Sequence, residues 1–199
     1  MNEVELTIEG QAPEPGGLRL VATLALAGML SGLLLAGAFQ ITKPIIEANK
    51  IRELRKGVIK VVPGSTIVSR MALRDGTIVP ITDEEKTDDP VIYGGYDDAG
   101  TFQGYAIANE GAGFQDLIQV LYGFDPARRR VIGMHILSSR ETPGLGDKIF
   151  KDMDFVANFN DLSIDPTIVV VKDGRDQPNE VDSITGATIS TKAVVKIIN

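Results

Sequence analysis

Between Arg19 and Lys43 the chain carries no charge, and this run, Leu20 to Thr42, is built mainly from Leu, Ala, Gly and Val. A helix needs about 20 such residues to cross roughly 30 Å of hydrocarbon, so the run reads as a membrane-spanning helix. The competing reading is a cleaved signal peptide, since Ala36-Gly37-Ala38 resembles a processing site. The apolar run, however, exceeds the usual h-region and the stretch before it is acidic. Gly28, Gly32 and Ala36 recur at spacing four, which gives one helix face a groove of small residues that a second helix backbone could enter; Gly and Ala are also simply common in such helices. The segments expected on this basis are an N-terminal tail over 1–18, a transmembrane helix over 19–42, a stalk helix over 43–63 and one folded domain over 64–199.

The flanking charges bear on orientation. Lys43, Lys50, Arg52, Arg55 and Lys56 follow the apolar run, whereas Arg19 alone precedes it, along with Glu3, Glu5, Glu9 and Glu14. Taken literally, the positive-inside rule keeps the large domain in the cytoplasm, although long domains translocate despite such a bias.

With 199 residues, the chain has room for one anchor and one compact domain. It contains no Cys, which excludes disulfides, thiolate zinc sites and cysteine-ligated clusters, and a single His, which excludes a multi-His metal site. Redox chemistry would have to come from an organic cofactor or from a partner protein. A net charge of −7 has the wrong sign for tracking phosphate backbones, so nucleic acid is set aside as a partner.

Past the anchor, Ile51, Leu54, Val58 and Val61 recur at helical spacing until Pro63-Gly64, and Pro44 is placed to kink the junction. Thr82 to Pro90 reads as an acidic, mobile loop. From Val91 the apolar period becomes two. Val91 to Tyr96 and Thr101 to Ala108 form one expected hairpin, Leu117 to Phe124 and Arg130 to Leu137 a second. A helix is expected over Asp147 to Phe159, a short strand over Thr167 to Lys172 and a closing helix over Thr188 to Ile198. Hairpins flanked by helices imply an α+β domain with an antiparallel sheet.

The most informative segment is Asp182-Ser183-Ile184-Thr185-Gly186-Ala187-Thr188, followed by Ile189-Ser190-Thr191 and a helical run. Gly186 and Ala187 let backbone approach a ligand closely, and the free N–H groups of the following helix turn favour phosphate. Ordinary capping by Thr185 or Thr188 is the alternative. A second segment, Glu141-Thr142-Pro143-Gly144-Leu145-Gly146, describes a rigid turn that could lie against a flat ring or simply join a strand to a helix. Neither segment alone decides between these readings. His135, the acidic run Asp83-Glu84-Glu85 and the basic run Arg128-Arg129-Arg130 read as packed or solvated side chains, with docking a lesser alternative for the two charged runs.

Together these segments resemble a known family. Asp-x-x-Ser/Thr-Gly-Ala-Thr is the motif of the FMN-binding domain found in the G subunit of Rnf electron-transport complexes and the C subunit of sodium-pumping NADH:quinone oxidoreductases. The loop Glu141 to Gly146 and the glycine-rich Gly111-Ala112-Gly113-Phe114 are similar to two further family segments in the same order. Ser139 stands where relatives often carry His, and Asp116 where Gly is common.

The resemblance implies FMN joined through its phosphate to Thr188 by a flavin transferase that uses FAD and magnesium. Thr185, Gly186, Ala187 and Asp182 would surround that link. Glu141, Thr142, Leu145 and Gly146 would contact the flavin, and Lys148 would neutralise its charge or remain a solvated helix cation. It further implies an electron relay with no catalytic side chain of its own, anchored in the cytoplasmic membrane with the tail 1–18 in the cytoplasm and its FMN domain outside, opposite to the charge bias, and partnered by ferredoxin- and NAD-linked subunits of an ion-translocating complex. The alternatives are the C subunit of the sodium-pumping enzyme and a flavin-free anchored adaptor.

Overall fold

The computed structural model describes residues 16–83, 85–172 and 174–199. Most of the expected N-terminal tail, up to residue 15, and Glu84 of the acidic run lie outside the described residues. Helix α1 spans Gly17–Val61 with Pro44 inside it, and it contains a stretch long and apolar enough to cross a membrane. The chain divides into two compact units, the first ending at Asn49 and the second running from Lys50 to Asn199. In the first unit every described side chain is exposed, as a helix meant for an apolar solvent requires.

The second unit is an α+β domain. Seven strands, β1 (Ile67–Arg74), β2 (Thr77–Pro80), β3 (Val91–Tyr96), β4 (Phe102–Ala112), β5 (Leu117–Asp125), β6 (Arg130–Ser138) and β7 (Leu162–Ser163), form one sheet in the order β2-β1-β3-β4-β5-β6-β7. All six of its ladders are antiparallel. Both expected hairpins are present. Strands β1 and β2 carry no legible signal: β1 buries Met71 and Ala72 in succession, so its sequence does not alternate.

Each face of the sheet is covered by its own core. On one face Val58 and Val61, at the end of α1, and Val62 just past it pack with Ala106, Leu121 and Ile132. Gly123 and Gly133, paired across β5 and β6, provide the flat seat for Val61. On the other face Ile118, Val120, Val131 and Met134 pack beneath Phe159, Val194 and Ile198. Val120 and Leu121 are neighbours that serve opposite cores, as the pleat dictates.

Helices α2 (Lys148–Lys151), α3 (Met153–Ala157) and α4 (Thr188–Ile198) supply much of that second cover. The single helix expected over Asp147 to Phe159 is in fact two, because Asp152 turns extended and its carboxylate accepts from the N–H groups of Asp154 and Phe155, starting a new helix. The expected mobile loop is tied down: Arg70 donates to the carbonyls of Thr82, Asp83 and Glu85, and Arg74 pairs with Glu85 at 2.6 Å and Asp89 at 2.8 Å. Finally, β8 (Val169–Val171) pairs in parallel with β9 (Glu180–Asp182), which delivers the chain to the segment beginning at Asp182.

Candidate cofactor site

The segment beginning at Asp182 leads into the start of α4. Its N-cap is Ala187, which has no side-chain acceptor, and no side chain caps the helix. The first backbone bond of the helix runs from Thr191 N to Ala187 O at 2.9 Å; Ala187 N donates to Ile184 O at 3.0 Å, and the N–H groups of Thr188, Ile189 and Ser190 have no acceptor among the described residues. This removes the capping alternative: neither Thr185 nor Thr188 occupies the cap. Gly186 takes a φ of +83°, a conformation that favours glycine, and so reverses the chain into the helix. The Thr188 hydroxyl is half-buried, and its oxygen accepts from the Ser183 hydroxyl at 3.3 Å.

A cleft of about 370 Å³ opens in front of this turn. Glu141, Thr142, Leu145 and Gly146 line one side, Gly186, Ala187 and Thr188 the other, and Phe114, Ile189 and Ser190 complete it. Phe114, Leu145 and Ile189 are 66%, 50% and 57% exposed, so an apolar shelf borders an anion-favouring helix end. A Cβ on Gly186 would sit 3.6 Å from Leu145 Cδ2, which shows how closely the two loops approach. Of the residues expected from the sequence, seven therefore share one cleft. The other three, Asp182, Thr185 and Lys148, line a neighbouring cavity of about 320 Å³, where Lys148 Nζ donates to the Thr185 carbonyl at 3.3 Å. Asp182 Oδ1 in that region is buried and has no hydrogen-bond partner among the described residues.

Glu141, expected at the flavin, has protein partners for both carboxylate oxygens. It is 6% exposed, Oε1 accepts from Phe114 N at 3.0 Å and Gln115 N at 2.9 Å, and Oε2 accepts from the Ser190 hydroxyl at 2.5 Å. Both oxygens are thus engaged within the protein, joining the β4–β5 turn, the Glu-Thr-Pro-Gly loop and the first turn of α4. Burial alone would raise its pKa, but the Ser190 hydroxyl and the surrounding backbone N–H groups together hold it below the ordinary carboxylate value. Gly146 is required here for space, since a Cβ would fall 2.6 Å from Glu141 Oε2, whereas Gly144, at φ +79°, is required for its conformation.

Sequence reasoning missed Ser190, Asp147 and the role of Phe114. Ser190 and Asp147 are buried polar residues. Asp147 Oδ1 accepts from Gly144 N at 2.8 Å and Oδ2 from Lys151 Nζ at 2.6 Å, which clamps the loop onto α2. The Lys151 bond, aided by Gly144 N–H and opposed by burial, keeps the Asp147 carboxyl below its usual value. No local pattern announces such long-range partners; Ser190 and Glu141 are 49 residues apart. A larger cleft, about 820 Å³ beside Lys60, Phe102 and Asp161, is of a different kind: Arg128 in its wall already pairs with Asp125 and Asp161.

Residues 113–199 match the FMN-binding domain family, a span that holds the whole of this cleft. Along nearly its full length the chain is similar to the G subunits of ion-translocating oxidoreductase complexes. It is 26% identical to that of Methanosarcina acetivorans over 185 residues, covering 91% of this chain and 90% of the relative. With that of Haemophilus influenzae it shares 30% identity over 178 residues, 86% of this chain and 82% of the relative. A shorter match, 39% over 92 residues and about half of each chain, is to the G subunit of a proton-translocating ferredoxin:NAD(+) oxidoreductase complex of Clostridium ljungdahlii. Among solved structures, NqrC of Shewanella oneidensis has the same fold, with a TM-score of 0.61 at 16% identity, covering 76% of this chain and 91% of that one. The chain belongs to the family of G subunits of ion-translocating oxidoreductase complexes, with the FMN-binding domain at its C-terminal end.

Proposed function

We propose that this chain is the electron-relay subunit of an Rnf-type complex and that it carries FMN as a phosphoester on Thr188 Oγ1. The observation that carries the reading is the uncapped start of α4: free N–H groups and the positive end of the helix dipole meet a threonine hydroxyl at the wall of an apolar cleft. When bound, the flavin would supply the redox chemistry, and the protein's part is to hold and orient it. Thr188 provides the attachment oxygen. Attack of that oxygen on the FMN-side phosphorus of FAD breaks the diphosphate, releases AMP and passes the threonine proton to solvent, which is the reaction asked of a flavin transferase. Phe114, Leu145 and Ile189 offer the apolar surface for a ring, Gly186 and Ala187 the close backbone approach, and Lys148 a cation beside the attachment loop. Thr142 donates its hydroxyl to Gln115 Oε1 at 3.0 Å and so stands at the rim of the cleft. A covalent link keeps the cofactor in place where a free flavin would diffuse into the surrounding water.

The partners would be the other subunits of such a complex, with electrons moving between ferredoxin- and NAD-linked centres and coupled to ion movement. Similarity over most of the chain to proteins named as G subunits favours this over the C subunit of the sodium-pumping enzyme, for which the likeness is one of fold. We place helix 19–42 in the cytoplasmic membrane with the tail 1–18 inside and the flavin domain outside, against the local charge bias. A flavin-free adaptor is disfavoured because it leaves the uncapped helix start and the apolar shelf without a use.

Two experiments test the proposal. Full-length protein co-expressed with a flavin transferase should keep yellow-green fluorescence after denaturing electrophoresis, with an intact mass raised by one FMN less water. Thr188→Ala should lose both; colourless wild type, or equal fluorescence in the variant, refutes the link. For orientation, a cysteine at the exposed Asp98 should react with an impermeant thiol reagent in intact cells. Labelling only after lysis would reverse the topology.

A further inference from the structure

We infer that Glu141 acts on the flavin without touching it, as a fixed negative charge in the cleft wall that makes the cofactor harder to reduce, and as the pin that positions the attachment helix. This rests on the proposed FMN site. Burying an ionised carboxylate is costly unless it is paired, and none of the ion pairs among the described residues includes Glu141. The nearest candidates in sequence are committed elsewhere: Arg140 to Asp116 at 3.6 Å, and Lys148 to the Thr185 carbonyl.

Hydrogen bonds alone hold the charge, and the site is moulded to it. A Cβ on Gly113 would fall 2.5 Å from Oε1, and one on Gly146 would fall 2.6 Å from Oε2. A neutral side chain would satisfy a structural role at lower desolvation cost. Glutamine in the same pose could accept from Phe114 N and Gln115 N through its oxygen and donate through its amide to Ser190 Oγ. The geometry therefore leaves charge as the property that glutamate adds.

Two electrons and one proton convert the neutral oxidised ring into an anionic reduced ring, adding one negative charge. A second negative charge in the wall opposes that addition, and low dielectric strengthens the opposition. Water at the open cleft would screen this less than it screens the domain's exposed carboxylates, because Glu141 is only 6% exposed.

The test is a mediator-coupled redox titration of full-length, flavin-bearing protein in detergent, with dithionite as reductant. Glu141→Gln should raise the reduced-to-oxidised ratio at fixed potential about tenfold, ~30 mV for a two-electron couple. Ser190→Ala keeps the charge and should change that ratio less than about threefold, although it loosens the same hydrogen-bond network. If Glu141→Gln fails to fold, Gln115→Lys brings a cation to the exposed rim beside Glu141 and should shift the ratio in the same direction. A folded, flavin-bearing Glu141→Gln with the wild-type ratio overturns the inference, as does an equal shift in Ser190→Ala, or an unshifted Gln115→Lys where Glu141→Gln does not fold. Wild-type protein without attached flavin overturns the Thr188 link as well, so the two failures are distinguishable.

Discussion

Replacing Gly123 by alanine should be the most damaging small substitution in the domain. Gly123 and Gly133 face each other across β5 and β6, and the last turn of α1 rests on both. A Cβ on Gly123 would overlap the backbone carbonyl oxygen of Val61, and one on Gly133 would lie 2.7 Å from the same oxygen. Backbone cannot rotate away as a side chain can, so the helix end must lift by about 1 Å and open the core of Val58, Val61 and Val62 beneath it. Overpacking of this kind costs typically 1–3 kcal/mol and occasionally more. We expect about 3 kcal/mol for Gly123→Ala and about 2 kcal/mol for Gly133→Ala. At Gly111 the obstruction is the Ile197 side chain at 2.7 Å, which can change rotamer; there we expect about 1 kcal/mol. For a folded unit of this size each kcal/mol moves the midpoint by ~2–4 °C, so Gly123→Ala should melt roughly 6–12 °C below wild type. Thermal unfolding of the full-length protein in detergent, followed by tyrosine signal because the chain has no Trp, measures this. A Gly123→Ala midpoint within a degree or two of wild type, or a larger loss for Gly111→Ala, would refute the seat.

Stability should fall on acidification in two windows. His135, half-buried, has its pKa lowered first by burial and then by Lys60, with Glu53 opposing; the unfolded state binds the extra proton, so stability is full above about pH 6.5 and is lost as pH falls through the folded value. Glu141 and Asp147 are also depressed, so their contributions are present above about pH 4 and are lost at still lower pH; His135→Gln should flatten only the upper window in a series of melts, and Glu141→Gln only the lower. Asp147→Asn should loosen the loop by breaking the charged bond to Lys151 and weakening that to Gly144, read as increased hydrogen exchange across the loop Glu141 to Gly146. Gly146→Ala, which drives a methyl group into Glu141, should lower flavin attachment more than Gly144→Ala, since the latter meets only backbone strain in open space; in-gel flavin fluorescence ranks the two.

Periodicity made the apolar helix, both hairpins and α4 legible, because each is specified by residues close in sequence. The strand β1 was not legible, since its two buried side chains are adjacent, and neither was the break at Asp152, where one carboxylate competes with helix continuation. The turn through Gly186 into α4 was legible from the motif, and seven of the ten positions expected by resemblance line a single cleft. Ser190 gave no such signal: a serine in a helix is commonplace until Glu141 is seen 2.5 Å away.

By itself, then, the sequence determined what is local: an apolar run of membrane length, two alternating hairpins, and a glycine turn leading into a helix. Tertiary structure decided that no side chain caps α4, that Glu141 is an internal pin with both oxygens occupied, and that the end of α1 sits on a pair of glycines. These outcomes depend on groups brought together across strands and loops, where burial and hydrogen-bond competition, not chain proximity, select the partner.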